Sequence, residues 1–439
     1  MAIYETPERL LQSLIRFDTT NPPGNERACI EYIHGMLEDA GIMTALYAKD
    51  EQRPNLVARI KGRGEAPPLL LYGHVDVVTT AGQNWRYPPF AAEIHDGFVW
   101  GRGALDMKGG VAMMIAALLR LKAEAVVPSG DVILLVLTDE ENYAEFGAKF
   151  MVESHPEVFE GVRYALGEFG GFNITLAGKR FYPIQVAEKQ VCGLELKFKG
   201  PGGHGAMPAP ECAAIHLGEA LDRIYSRRMP VHVTPPVRRM IEEMAQNIGG
   251  VTGLGLRALL RPALTDRLLN QLGEIGQTFV PMLHNTVNAT IFEGGEKRNV
   301  IPSEIRVELD GRMLPGFTPE QMVAEVRELI GLGEEDVEIR VLQYEPGPEE
   351  IDMGLFDHLA GVLKRLDPEG IPVPYLLTAV TDGRHLAKLG IQSFGFIPMR
   401  LPQDFEFFKL AHAADERIPV EAVRFGAEGI YQAVREYRG

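Results

Sequence analysis

The sequence predicts an α/β protein: a mostly parallel sheet, interrupted by an inserted ferredoxin-like α+β domain. Two observations lead there. Apolar runs at 68–72, 131–138 and 162–166 read as buried strands, and a strongly helical segment, Gly109 to Glu124, leads into the second. That β-helix-β order implies parallel pairing. Farther along, 190–346 shows strand, helix, strand, strand, helix, strand, the split β-α-β pattern.

The elements follow in order. Segments 7–16 and 25–40 carry helical periodicity and are separated by the turn residues Thr20-Asn21-Pro22-Pro23-Gly24. Pro68 to Tyr72 is the first buried strand, and Trp85 to Gly101 reads as loop with short antiparallel strands. After strands 131–138 and 162–166 the character changes near Glu188, where Val191 to Lys199 alternates polar and apolar residues as a half-exposed strand does. A helix at 211–226, a long helical stretch at 235–283, strands at 286–292 and 304–312, a helix at 318–331 and a strand at 336–343 complete the insertion. The first domain resumes with a helix at 353–365, a strand at 391–397 and a terminal helix from Pro419. The expected domains are therefore 1–189 with 347–439, and 190–346 carrying a helical insertion at about 235–283. Glu345-Pro346-Gly347-Pro348 is the return linker.

A chain of 439 residues is too long for one typical domain. Its net charge of −16 opposes nucleic acid and anionic membrane surfaces. Cys29, Cys192 and Cys212 are too few and too scattered for a disulfide framework or a thiolate zinc site. Neither a signal peptide nor a bilayer-length apolar run is visible, so a soluble cytoplasmic protein is expected.

The chemistry gathers where strands end. Gly73-His74-Val75-Asp76 closes the first apolar run, and polar groups past the carboxyl end of such strands are where open α/β sheets place their sites. Five candidate ligands stand at or just beyond strand ends: His74, Asp106, Glu141, Glu168 and His412. Two imidazoles and three carboxylates suit zinc better than calcium or magnesium. Charge supports two ions, since three carboxylates and a bridging hydroxide balance four positive charges. Glu140 and Glu141 point different ways, so one can bind metal while the other serves as general base. Spacing does not assign the two roles. Asp106 also fits a helix N-cap before Gly109.

At these residues the chain resembles the di-zinc metallopeptidase family of aminoacylases, carboxypeptidase S, acetylornithine deacetylases and succinyl-diaminopimelate desuccinylases. The likeness is densest at 73–76, 101–109 and 138–141, and continues at 199–204, 294–302, 381–384 and 412–417. The last motif, with Gly395 to Met399 before it, is most similar to the aminoacylase-1 and carboxypeptidase S branch. The resemblance implies a phosphorylase/hydrolase-like catalytic domain with a lid and dimerisation domain inserted. It implies that Asp106 bridges two zinc ions, for which Co²⁺ or Mn²⁺ can substitute, and that the peptide bond after it is cis. His74 and Glu168 would complete one zinc site, Glu141 and His412 the other. Glu140 would be the general base, and Asp76 would orient the His74 ring. A homodimer would bring His204 across to stabilise the oxyanion, and Asn288 would support substrate or oxyanion. Arg384 would take a substrate carboxylate in bidentate fashion, against a structural ion pair with Asp382 or Glu416. Two departures stand out. Asn142 to Gly147 replaces the usual Gly-Gly element after the paired acids, and Ala379-Val380 replaces the glycines before Thr381.

The expected activity is hydrolysis of an amide bond beside a free carboxylate, on N-acyl-L-amino acids or short peptides. A dipeptidase or carboxypeptidase acting on free-amine peptides uses the same site. A catalytically inactive scaffold keeping the fold is the alternative of another class. The apolar periodicity of 235–283, as in Leu254 to Leu260, reads as lid core or dimer interface, with an apolar acyl pocket beneath it as the sharper reading.

Overall fold

A computed structural model describes residues 2–348 and 350–439. The chain divides into two compact units, one of Met1–Ala187, Ile351–Tyr375 and Thr381–Gly439, the other of Glu188–Glu350 and Leu376–Val380.

The first unit is built on a mixed sheet whose centre is parallel. Val132–Leu137, Leu69–His74, Tyr164–Gly167 and Gln392–Gly395 lie side by side and run the same way. Asn55–Ile60 and Met43–Tyr47 extend one edge in antiparallel pairing. Leu69, Leu71, Val132, Leu134 and Val136 share a core with helix Lys108–Ala123. Leu70, Tyr72, Ile133, Leu135 and Leu137 pack on the opposite side with Ala148, Met151 and Val152 of helix Ala148–Ser154. With both faces covered, alternation has no use, and that is why these strands are unbroken apolar runs.

Several strands escaped the sequence reading for physical reasons. Lys179–Glu188 and Ile371–Leu377 contain Pro183, Pro372 and Pro374, and proline demotes a strand in any pattern argument. Met43–Tyr47 is a sheet-edge strand with little burial, so it carries no apolar signature.

In the second unit, strands Gln190–Lys199, Thr286–Gly294, Glu304–Met313 and Val337–Glu345 form an antiparallel sheet. Numbered within the unit, their order is 2-3-1-4, the ferredoxin-like arrangement. The alternation at 191–199 is explained: Cys192, Leu194, Leu196 and Phe198 face helices Ala213–Ser226 and Pro319–Ile330 in one core. The long helical stretch is four helices, Pro235–Ile248, Gly250–Ala258, Pro262–Gln271 and Glu274–Leu283. Gly249 and Gly273, at φ +68° and +56°, make two of the breaks, where a side chain would be strained. Among the described residues no helix is long and apolar enough to cross a membrane.

Candidate active site

His74 ends strand Leu69–His74, and Glu168 follows strand Tyr164–Gly167 directly. Neighbouring parallel strands thus deliver both side chains to one end of the sheet. Glu141 lies in the short turn Glu140–Asn142 after strand Val132–Leu137. Two ligands depart from the strand-end expectation. Asp106 sits in a loop between strand Phe98–Trp100 and helix Lys108–Ala123, and His412 sits in a loop after the one-turn helix Phe407–Leu410. Asp106 is not a helix cap either, because Met107 occupies the N-cap position. The Asp106–Met107 peptide bond is cis. Gly109 is required close by: a Cβ there would lie 2.2 Å from the Ala104 carbonyl oxygen.

The five residues converge. His74 Nε2 lies 3.2 Å from Asp106 Oδ1 and 3.6 Å from Glu168 Oε2. His412 Nε2 lies 3.1 Å from Asp106 Oδ2 and 3.3 Å from Glu141 Oε1. The two oxygens of Asp106 are therefore shared between two groups, each with one imidazole and one further carboxylate, and each group able to hold a metal ion. His412 is 51% exposed whereas His74 is buried, so one group is open to solvent and the other is not.

The electrostatics fit a pair of cations. Burial disfavours the imidazolium of His74, yet bonds to Asp106, Asp76 and Glu168 hold its pKa well above the usual value. Hydrogen bonds to Asp106 and Glu141 raise His412 to about 10. Burial pushes Glu168 up to about 8, and burial with the Glu168 charge pushes Glu140 well above the carboxylate range. A cluster that binds protons this avidly is one in which divalent ions can take their place. His74 Nδ1 lies 3.1 Å from the backbone oxygen of Asp76, which assigns the ring proton to Nδ1 and leaves Nε2 for a metal.

The Asp76 carboxylate does more than face the ring, from which Oδ1 is 3.4 Å away. Its Oδ1 accepts the Glu140 amide and its Oδ2 the Glu141 amide, each at 3.1 Å, and Asn21 Nδ2 donates to Oδ2 at 2.8 Å. Asp139, at φ +66°, turns the chain here and accepts from Asn21 and from the Phe146 amide. Arg53 ties Asp139 to Glu26 from below, at 2.9 and 2.6 Å. The loop Asn142–Gly147 holds its shape with Tyr143 and Ala144 at positive φ, and the Ala144 amide bonds Asp139 O at 2.8 Å. The absent Gly-Gly element is thus replaced by a bonded turn. Asp76→Asn presents an NH₂ to one of two amide donors and is expected to lower stability by about 1–3 kcal/mol. Urea denaturation measures it, and an unchanged midpoint would refute the clamp.

A second support was also missed. Glu416, fully buried, accepts the amides of Leu105 at 2.7 Å and Asp106 at 3.2 Å. Its other oxygen takes Arg102 at 2.6 Å, and Arg102 also donates to the His412 and Ala413 carbonyls. The signal was present, since Arg102 and Glu416 lie inside quoted motifs, but nothing in one dimension pairs them. Glu416 is thus committed to Arg102 and to the two loop amides. Asp382 is buried near Arg384, with its pKa pushed up to about 7 by burial against the pull of that guanidinium.

His204 and Asn288 belong to the second unit, and both are exposed. His204 lies on the two-residue strand Gly203–His204, which pairs antiparallel with Val300–Ile301, and its Nδ1 accepts the Ala206 amide at 3.1 Å. That leaves Nε2 as the protonated donor. Asn288 sits opposite Asp310 in strand Thr286–Gly294.

Sequence comparison now gives this geometry a context. Residues 70–436 match the model of peptidase family M20/M25/M40. The chain belongs to that family. It is 27% identical over 397 residues to a probable carboxypeptidase S-like 2 of Dictyostelium discoideum, covering 87% of this chain and 74% of that one. To the mouse N-fatty-acyl-amino acid synthase/hydrolase PM20D1 it is 27% identical over 392 residues, with 84% and 74% covered. A crystallised M20 metallo-carboxypeptidase of Sulfolobus solfataricus shares the fold, with a TM-score of 0.69 at 17% identity over 98% of this chain and 99% of that chain. This M20 protein is therefore a metal-dependent hydrolase of amide bonds, and the inactive-scaffold alternative has no support.

Proposed function

We propose that this M20 hydrolase cleaves N-acyl-L-amino acids beside their free carboxylate, using a pair of zinc ions held by His74, Asp106, Glu141, Glu168 and His412. The observation that carries the reading is the sharing of Asp106 between two ligand groups, with Glu140 on the same turn as Glu141. When bound, the ions supply Lewis-acid polarisation and make a water acidic enough to attack. Glu140 takes the proton of the attacking water and returns it to the departing nitrogen. His204, with a donor at Nε2, stabilises the oxyanion, Asn288 supports the substrate, and Arg384 binds its carboxylate. Two features support an acyl-amino-acid substrate: the name of the mouse relative, and a guanidinium rather than a lysine at position 384. The carboxypeptidase S-like relative favours the second reading, a peptidase on short peptides. A cytoplasmic homodimer completes the proposal, in keeping with three buried cysteines that form no disulfide.

A hydrolysis panel tests it: N-acylated amino acids against free-amine dipeptides, with zinc or cobalt supplied after chelation. N-acyl amino acids are expected to turn over with the higher kcat/KM, and chelation to abolish activity until metal returns. His204→Ala is expected to lower kcat by roughly 10²–10³-fold with metal content unchanged. A preference for dipeptides transfers the assignment to the peptidase reading, and an active His204→Ala removes that residue from the mechanism.

A further inference from the structure

We propose that the helical insertion of the second unit docks the protein on an anionic lipid surface, through an apolar stripe on helix Gly250–Ala258 and the arginines beside it. The proposal stands apart from the reaction at the ligand groups.

Helix Gly250–Ala258 has no polar face to offer to water. Its sequence, Gly-Val-Thr-Gly-Leu-Gly-Leu-Arg-Ala, holds two polar side chains, Thr252 and Arg257. A helix so apolar on every side is normally buried. Here only one side is covered. Gly253 and Leu256 are buried, and Gly253 sits so close to helix Pro235–Ile248 that a Cβ would lie 2.4 Å from the Ala245 carbonyl oxygen. Val251 and Leu254 stand on the other side, 87% and 68% exposed. With Arg257 they are spaced three apart, so the three share one face of the helix. Leu264 on the next helix, and Leu272 and Ile275 either side of Gly273, are exposed as well.

The charge of this segment runs against that of the chain. Between Gly249 and Gly273 stand three arginines and one acid, Asp266, in a protein of net charge −16. Asp266 is paired with Arg228 at 2.9 Å. Arg257, Arg261 and Arg267 are exposed and, among the described residues, form no ion pair. The net charge opposes an anionic surface, but at physiological salt charges farther away than about 8–10 Å are screened, so a surface meeting this segment responds to its local excess of cations. Apolar side chains flanked by guanidinium groups suit the boundary between lipid headgroups and acyl chains, with the arginine forks on phosphate oxygens. Nine residues are too few to cross a bilayer, so the helix lies along it. A second copy of the chain is a poorer occupant. A two-fold contact through this patch would set its arginines against their own equivalents.

Co-sedimentation of the full chain with vesicles tests this, comparing phosphatidylcholine alone with equal parts of phosphatidylcholine and phosphatidylglycerol. The protein is expected to bind the anionic vesicles about tenfold or more tightly than the neutral ones, and less tightly as salt is added. Arg257→Gln, Arg261→Gln and Arg267→Gln combined should weaken binding about fivefold for each arginine replaced. Val251→Ser with Leu254→Ser should weaken it about tenfold or more. All five side chains are exposed, so the urea midpoints of both variants should stay at the wild-type value. Leu254→Trp reads the contact directly, because its emission should shift to the blue on the anionic vesicles. Equal binding to the two vesicle types, binding to neither, affinity unchanged in either variant, or a Leu254→Trp emission unmoved by bound vesicles overturns the proposal. Loss of oligomeric mass in the serine variant, with no vesicle binding by the wild type, would assign the stripe to a second copy instead.

Discussion

Glu140→Gln is expected to lower kcat by about 10²–10⁴-fold while metal content stays at the wild-type level. Glutamine keeps the shape and the backbone bond to Asp76 but cannot take the proton that the proposed base role requires. Its neighbour supplies the control. Glu141 lies 3.3 Å from His412 in one ligand group, so Glu141→Gln is expected to lose metal as well as turnover. Single-turnover kinetics and elemental analysis of both variants measure the contrast. Equal metal loss in both would show that the roles of the two acids are not divided as proposed, and substantial turnover by Glu140→Gln would end the base assignment.

Arg102→Met is expected to cost about 3–5 kcal/mol, because it leaves Glu416 as an uncompensated charge in the interior. Arg102 is 1% exposed and Glu416 fully buried. The loss should also be selective for one metal. Arg102 holds the His412 carbonyl, and Gln83 bonds both groups, at 2.7 Å to the guanidinium and 2.9 Å to that carbonyl. Without it the imidazole of His412 loses its fixed approach to Asp106, while His74, at the end of one strand, and Glu168, directly after the next, keep theirs. Affinity for one of two zinc equivalents should fall about 10–100-fold, as read by equilibrium dialysis. The double variant Arg102→Met with Glu416→Leu removes the buried charge, so stability should recover in part and the second equivalent should not. Two undiminished equivalents in either variant would reduce Arg102 to a purely structural role.

Much of this was legible in one dimension because burial on both faces writes itself as an apolar run, and ligands at strand ends are marked by where the run stops. His74 and Glu168 are of that kind. Asp106 and His412 are held instead by loops, and the loops are held by Arg102 and Glu416, whose pairing spans most of the chain. The clamp of Asn21, Asp76, Asp139 and Arg53 beneath Glu140 is similar: each residue is an ordinary polar side chain until the fold brings them together. Strands carrying prolines were invisible for the opposite reason, since a sheet can accommodate locally what propensity forbids.

The sequence by itself determined the parallel sheet, the ferredoxin-like insertion and the candidate ligand residues, because periodicity and residue chemistry are local properties. Only the tertiary structure decided that one aspartate is shared by two candidate ligand groups, and which buried ion pair holds the loop of the exposed imidazole. Those depend on distances between residues far apart in the chain, and distance in space is set by packing, which no local pattern encodes.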